Sequence, residues 1–265
     1  MKKVLTLMVA ALVAISVHAA QTYQEAVSAG DKELKGKNYD AAATAFDEAV
    51  KLAEKPTDKA SAYFKAGEAM RYAKKYDEAT EYFKKMLAVD ESSPTQKSLA
   101  QYRLGLCCYA QKKYPETIVE MEKVLAIDKA HKSHVAYAKR YIGYAQYNSK
   151  DYDAAAKTFS EIVQDESMSA YNRTIAQQYI GHIKRQQKQY AEAITEYSKI
   201  QDIPKVNPRD VAEADRLIGN AYYTMKEYDK AKEMLEKAVA NEKATAATKR
   251  NASSTLQRIE KLNKK

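Results

Sequence analysis

The sequence predicts an all-α solenoid of six helix pairs followed by one further helix, and three markers held in a single register predict it. Tyr39, Tyr76, Tyr114, Tyr152, Tyr190 and Tyr228 recur every 37 or 38 residues. Nine residues before each tyrosine stands a glycine: Gly30, Gly67, Gly105, Gly143, Gly181 and Gly219. Two residues before each stands a lysine: Lys37, Lys74, Lys112, Lys150, Lys188 and Lys226. The repeating unit is therefore a helix, a tight turn opened by lysine, and a second helix that starts near the tyrosine.

Each first helix carries apolar and small residues three and four apart, as in Ala100, Leu104, Gly105 and Cys108, or Ala138, Ile142, Gly143 and Ala145. That spacing is one helical stripe. Each second helix carries its own stripe, such as Tyr76, Ala79, Phe83, Met86 and Leu87, or Tyr152, Ala155, Phe159, Ile162 and Val163. A glycine inside a helix costs about 1 kcal/mol relative to alanine, so a glycine in every repeat needs a packing reason. The reason read here is close approach of the first helix to the second. Small residues three after the tyrosine (Ala42, Ala79, Ala155, Ala193 and Ala231) serve the same end, and Thr117 is the departure. The turn lysines read as a solvated row along one edge.

At the N-terminus, Met1-Lys2-Lys3 precedes an apolar run from Val4 to Val17 and then His18-Ala19-Ala20. This reads as a secretory signal peptide over residues 1–19, too short to span a bilayer comfortably, with a bacterial cast and no lipoprotein cysteine. The expectation is export to the periplasm, or secretion. The net charge is +9, of which residues 1–19 hold +2 and residues 243–265 hold +6, leaving +1 for the repeats. A nucleic-acid module shows a broad basic footprint, and here the basicity belongs to the tail, so no nucleic-acid partner is expected. Adding one period to Ala214 and Ile218 reaches Ala252 and Leu256. Residues 243–265 thus read as a basic capping helix, because a solenoid end needs a polar cover.

Tyr or Leu before Leu-Gly, then the turn tyrosine, then Ala and Phe four residues apart, resembles the tetratricopeptide repeat; Leu104-Gly105 with Tyr114, and Ala79 with Phe83, are clear instances. The resemblance covers about residues 22–242 and implies a right-handed, tetratricopeptide-type α-solenoid. The repeats run over about 22–56, 57–94, 95–132, 133–170, 171–208 and 209–242, within a repeat region of 20–242. The family period is about 34 residues, shorter than here. The family's closing proline is replaced by longer segments such as Glu91–Gln96 and Asp202–Arg209. A narrower likeness is to bacterial envelope proteins that carry this repeat.

The resemblance also implies that first helices line a concave face. Residues three, four and three apart, turned away from the packing stripe, place Phe64, Arg71, Tyr102, Tyr109, Tyr137, Arg140, Tyr144, Tyr147, His182, Arg185, Arg216 and Tyr223 there. Tyrosine and arginine dominate binding energy at interfaces. About half of these residues are expected to be partly structural. A groove of this kind suits a segment bearing acidic and apolar groups. The family's C-terminal-carboxylate clamp needs lysine, asparagine and arginine on successive first helices, and only Arg216 and Asn220 fit in part.

Catalytic and cofactor chemistry finds no support in the sequence. His131 and His134 are three apart with no carboxylate or cysteine at ligand spacing, so no metal is expected. No Gly-rich phosphate loop or nucleophile elbow occurs, so neither a cofactor nor an enzyme is expected. Adjacent Cys107 and Cys108 cannot bridge without distorting a helix and are expected to be buried free thiols. The Asn172-Arg-Thr174 and Asn251-Ala-Ser253 sequons are incidental in a bacterial protein. The functional expectation is a periplasmic scaffold that binds an envelope protein or peptide through its groove. The alternative is a peripheral membrane or cell-wall binder that works through the basic tail, with weak contact to anionic lipid.

Overall fold

The computed structural model describes residues 22–90 and 92–263. The signal-peptide reading and the last two lysines of the tail fall outside the described residues. The helices are α1 (Tyr23–Lys35), α2 (Tyr39–Leu52), α3 (Pro56–Tyr72), α4 (Tyr76–Leu87), α5 (Pro94–Ala110), α6 (Tyr114–Ala126) and α7 (Lys132–Asn148). They continue with α8 (Tyr152–Gln164), α9 (Ala170–Gln186), α10 (Tyr190–Ser198), α11 (Pro208–Thr224), α12 (Tyr228–Ala240) and α13 (Ala246–Asn263). A short 3-10 turn, Lys199–Asp202, extends α10. Every second helix starts on a marker tyrosine.

Local chemistry sets the helix starts. Thr22 with Glu25 and Ser93 with Gln96 form capping boxes, which satisfy free N–H groups at both ends of the exchange. Pro56, Pro94 and Pro208 occupy the first helical turn, where a missing N–H costs nothing. Two of the long proline-containing segments between repeats thus serve as helix starts for α5 and α11.

The turn lysines do more than carry charge. Each of the six has a φ between 60° and 66°, the left-handed region. In the fourth repeat the N–H of Lys150 donates to the carbonyl of Tyr147 at 3.0 Å, and that of Asp151 to Gln146 at 2.9 Å. This pair of bonds is a Schellman closure, and its left-handed residue is usually glycine. A lysine there carries a local backbone cost on the order of 1 kcal/mol, repeated at every intra-repeat turn.

The described residues fall into two compact units, one reaching Lys113 together with 126–131, and one of Tyr114–Leu125 with the chain from Lys132 onward. In the first unit Ala42, Phe46, Ala66, Met70, Ala79, Phe83, Leu104 and Cys107 form one buried cluster. In the second, Ala155, Phe159, Ile162, Ala176, Ile180 and Ile183 form another, and Ala231, Leu235, Ala238, Ala252 and Ile259 a further one. The last of these joins α13 to α12, with Leu256 packed against it. Exposed Lys243, Arg250, Arg258 and Lys261 lie on its outer side or just before it.

The glycine register has a specific partner. A Cβ built on Gly30 would lie 2.4 Å from the Phe46 ring, on Gly67 2.6 Å from Phe83, on Gly143 2.7 Å from Phe159, and on Gly181 2.3 Å from Tyr197. On Gly219 it would meet Leu235 at 2.7 Å. The large side chain of the second helix therefore packs directly against the glycine, a sharper reason than helix proximity alone. Cys107 is buried and Cys108 only half-buried, so the expectation of two buried thiols holds for one of them. Cys107 faces the core cluster, and burial pushes its thiol up to about 12, far from a reactive thiolate.

Candidate functional site

The first helices of the second unit carry a connected group of aromatic residues, built outward from the Gly143 contact. Phe159, seated on Gly143, stacks with Tyr179 at 5.0 Å between ring centres and tilts against Tyr144 at 5.8 Å. Tyr144 and Tyr179 lie 4.7 Å apart, and Tyr147 meets Tyr179 edge-on at 5.3 Å. From Tyr179 the chain of rings continues to His182 at 5.5 Å, and from His182 to Tyr197 at 5.6 Å. Rings in these tilted and edge-on arrangements each add about 0.5–1.5 kcal/mol beyond the area they bury. Tyr144, Tyr147, Tyr179 and His182 all keep part of their surface in water. Burial raises the Tyr144 and Tyr179 phenols above their ordinary range, so both stay neutral hydrogen-bonding groups.

Arg140 stands at one end of this ladder. Its guanidinium lies 5.3 Å from the Tyr137 ring centre, 5.8 Å from Tyr144 and 5.4 Å from Tyr171. The side chain is only 9% exposed. Its Nη1 donates to Asn172 Oδ1 at 2.9 Å, whereas Nε is sealed from solvent with no hydrogen-bond partner among the described residues. No carboxylate among the described residues pairs with it. A buried polar group left unsatisfied costs about 1–3 kcal/mol, and a charged one more.

The other sequence-predicted residues divide by their partners. Arg185 is exposed and forms no ion pair among the described residues. Arg216 Nε donates to Glu213 Oε2 at 2.9 Å and its Nη2 to Glu213 Oε1, which forms a forked pair. Glu213 also accepts from Thr248 at 2.9 Å, and Asn220 accepts from Thr255 at 3.0 Å. The polar residues of α11 thus anchor α13. Tyr223 is half-buried against Tyr228.

In the first unit, Phe64 packs on the core beside Phe83, and Tyr102 is 7% exposed. Arg71 forks onto Glu68 at 2.8 and 3.1 Å, and Arg103 approaches the same carboxylate at 3.0 Å. The two arginines thus share one carboxylate. Tyr109 is half-buried. Tyr102 and Arg140 were both expected on an open face and are buried instead. A first helix in such a stack is contacted on more sides than a three-four-three spacing records. Tyr171, Asn172 and Tyr179 belong to the site and escaped the sequence reading. Tyr171 and Asn172 lie at the start of α9 and Tyr179 further along the same helix, at positions the three-four-three spacing passes over.

His182 donates to or accepts from Tyr197 across 2.7 Å, and burial, with help from the nearby Arg185, lowers its pKa from the ordinary 6.5 to about 4. Arg216 adds to that effect and Glu213 opposes it. Acid protonates this histidine in the unfolded chain long before the folded one accepts a proton, so acid favours unfolding. Between about pH 7 and about pH 5 the wild type should lose roughly 2 kcal/mol more stability than His182→Gln, because the other titrating groups are common to both. Denaturant melts at the two pH values measure this, and equal losses would remove His182 from the buried network.

Among the described residues no cluster of three or more histidine, cysteine, aspartate or glutamate side chains could hold a metal ion. No described helix is long and apolar enough to cross a membrane.

Residues 27–97, 137–167 and 217–245 match family models of the tetratricopeptide repeat. No curated protein matches the sequence. Among solved structures, the C-terminal part of a TPR repeat-containing protein from Cytophaga hutchinsonii is similar at 15% identity and a TM-score of 0.63, covering 88% of each chain. The apo form of RapI is similar at 18% identity and a TM-score of 0.61, covering 90% of this chain and 76% of that one. The three matched segments are tetratricopeptide repeats, and the fold class of the chain is the all-α, tetratricopeptide-type solenoid.

Proposed function

We propose that the protein is a non-enzymatic scaffold that captures a peptide segment of a protein partner on the first-helix face of its second unit, and that it works in the periplasm on an envelope protein. The repeat fold supports protein and peptide binding in general terms. The observation that carries the proposal is the run of partly exposed rings from Tyr144 through Tyr147 and Tyr179 to His182. Rigid aromatic surface of this kind gives large contact area at low cost in side-chain entropy. The N-terminal apolar run and the two lysines before it support export.

A second reading rests on the exposed Lys243, Arg250, Arg258 and Lys261, which could hold the protein on an anionic lipid or cell-wall surface. Salt separates the two readings, since exposed charges are screened within about 10 Å at 0.1 M. Pull-downs from a cell-envelope extract would compare wild type with Tyr147→Ala/Tyr171→Ala at low and moderate salt. The expected result is a protein that survives moderate salt with wild type and is lost with the variant. If every bound species washes off in salt and none depends on the variant, the basic tail is the working surface and the groove reading fails.

A further inference from the structure

We propose that Arg140 is the receptor for one side-chain carboxylate, that of an aspartate or glutamate within an internal acidic and apolar segment of the partner. This rests on the peptide-capturing reading above and names the chemistry recognised at one end of the ring ladder. Three observations carry it.

The first is the electrostatic imbalance at Arg140. Glu68 in the first unit is met by Arg71 and Arg103, and Arg216 in the second forks onto Glu213. Arg140 is more buried than Arg71, Arg103 or Arg216, yet among the described residues its one hydrogen-bond acceptor is the neutral oxygen of Asn172. A buried cation without an anion is costly, and the missing anion would remove that cost on arrival.

The second is access. Nε is sealed and Nη1 is engaged by Asn172, but Nη2 is not among the sealed atoms and makes no hydrogen bond to another described residue. Tyr171, which closes one side of the guanidinium, is itself 53% exposed. A carboxylate entering beside Tyr171 would meet Nη2 directly, in a setting where water is largely excluded and charge-assisted hydrogen bonds are strong.

The third is the surroundings. A single guanidinium and one amide provide one positive charge, which matches a carboxylate and leaves a phosphate dianion half-neutralised. The rings continue from Tyr144 to Tyr179 and Tyr147, so a bound chain has apolar surface to follow beyond the anion. That continuity favours an internal side chain over a chain terminus.

The test is selection of a displayed random-peptide library on the full chain, followed by titration calorimetry of an enriched peptide. Enriched sequences should carry aspartate or glutamate beside aromatic or aliphatic residues. Changing that acidic residue to its amide should weaken binding roughly 10- to 100-fold, in line with a hydrogen bond to a charged group. Arg140→Met should weaken the parent peptide by a similar factor and leave the amide peptide unaffected. Arg140→Lys, which keeps the charge and loses the planar fork, should fall between them. The peptide substitution needs no variant of the protein, so a variant that fails to fold leaves the test intact.

Several results would overturn the proposal, and they are distinguishable. Enrichment with no acidic preference, or an acidic peptide indifferent to Arg140→Met, refutes the Arg140 assignment while sparing the groove. Loss on amidating the peptide's C-terminus, with none on changing the side chain, refutes the internal carboxylate. No enrichment at all refutes the groove reading and this inference with it.

Discussion

Replacing Gly143 with leucine is expected to destabilise the second unit by about 1–3 kcal/mol, or more if the ring cannot move. Two effects oppose each other. Removing a mid-helix glycine is worth up to about 1 kcal/mol in helix propensity. Against this, even the first carbon of the new side chain falls 2.7 Å from two atoms of the Phe159 ring. Real contacts at that distance do not persist, so the ring must leave. Phe159 is fully buried and held by Tyr144 and Tyr179, and its displacement disturbs a shared cluster. Overpacking therefore wins. Gly36 is the internal control, because a Cβ there has nothing nearer than 3.4 Å and its φ is −73°. Gly36→Ala should be neutral or stabilise by up to about 1 kcal/mol through the unfolded state. Denaturant melts of both variants make the comparison, and a Gly143→Leu protein as stable as wild type would sink the assigned ring-on-glycine contact.

Truncating the ring itself, Phe159→Ala, should cost about 3–5 kcal/mol, the range for a buried phenylalanine that leaves a cavity. The site can collapse little, because Ala155, Ile162 and Ala176 around it are already fully or almost fully buried. Since stability in a repeat array is nearly a sum of local terms, the loss should concentrate in the repeats around α8. A functional effect should accompany it. Phe159 supports Tyr144 and Tyr179 from behind, so a ligand captured on those rings should bind more weakly although it never touches position 159. Combining Phe159→Ala with Gly143→Leu should cost less than the sum of the two, because the leucine would enter the vacated space. Strict additivity would show that the two residues do not share that space.

The repeat register was legible because each marker answers a local demand that recurs: a glycine under a ring, a lysine at a turn, a tyrosine at a helix start. The partner of the glycine was less legible. Its contact lies sixteen residues away on the other helix, at Phe46, Phe83, Phe159, Tyr197 or Leu235, and the side chain varies while the geometry does not. The turn lysines looked like surface charge. Their left-handed backbone follows from the Schellman closure, which any residue able to tolerate positive φ can complete.

The binding face was legible only in part. Spacing along one helix put Tyr144, Tyr147 and His182 in the right neighbourhood but could not distinguish an open position from one covered by the next first helix. Arg140 shows the difference: on α7 alone it is a surface cation, and only the arrival of Tyr171 and Asn172 at the start of α9 encloses it. The sequence by itself determined the helix pairs, their period and the glycine register, because these depend on periodic local patterns. The tertiary structure alone decided that Arg103 reaches Glu68 from a neighbouring helix and that Arg140 is enclosed with no carboxylate among the described residues, because both depend on distances between helices.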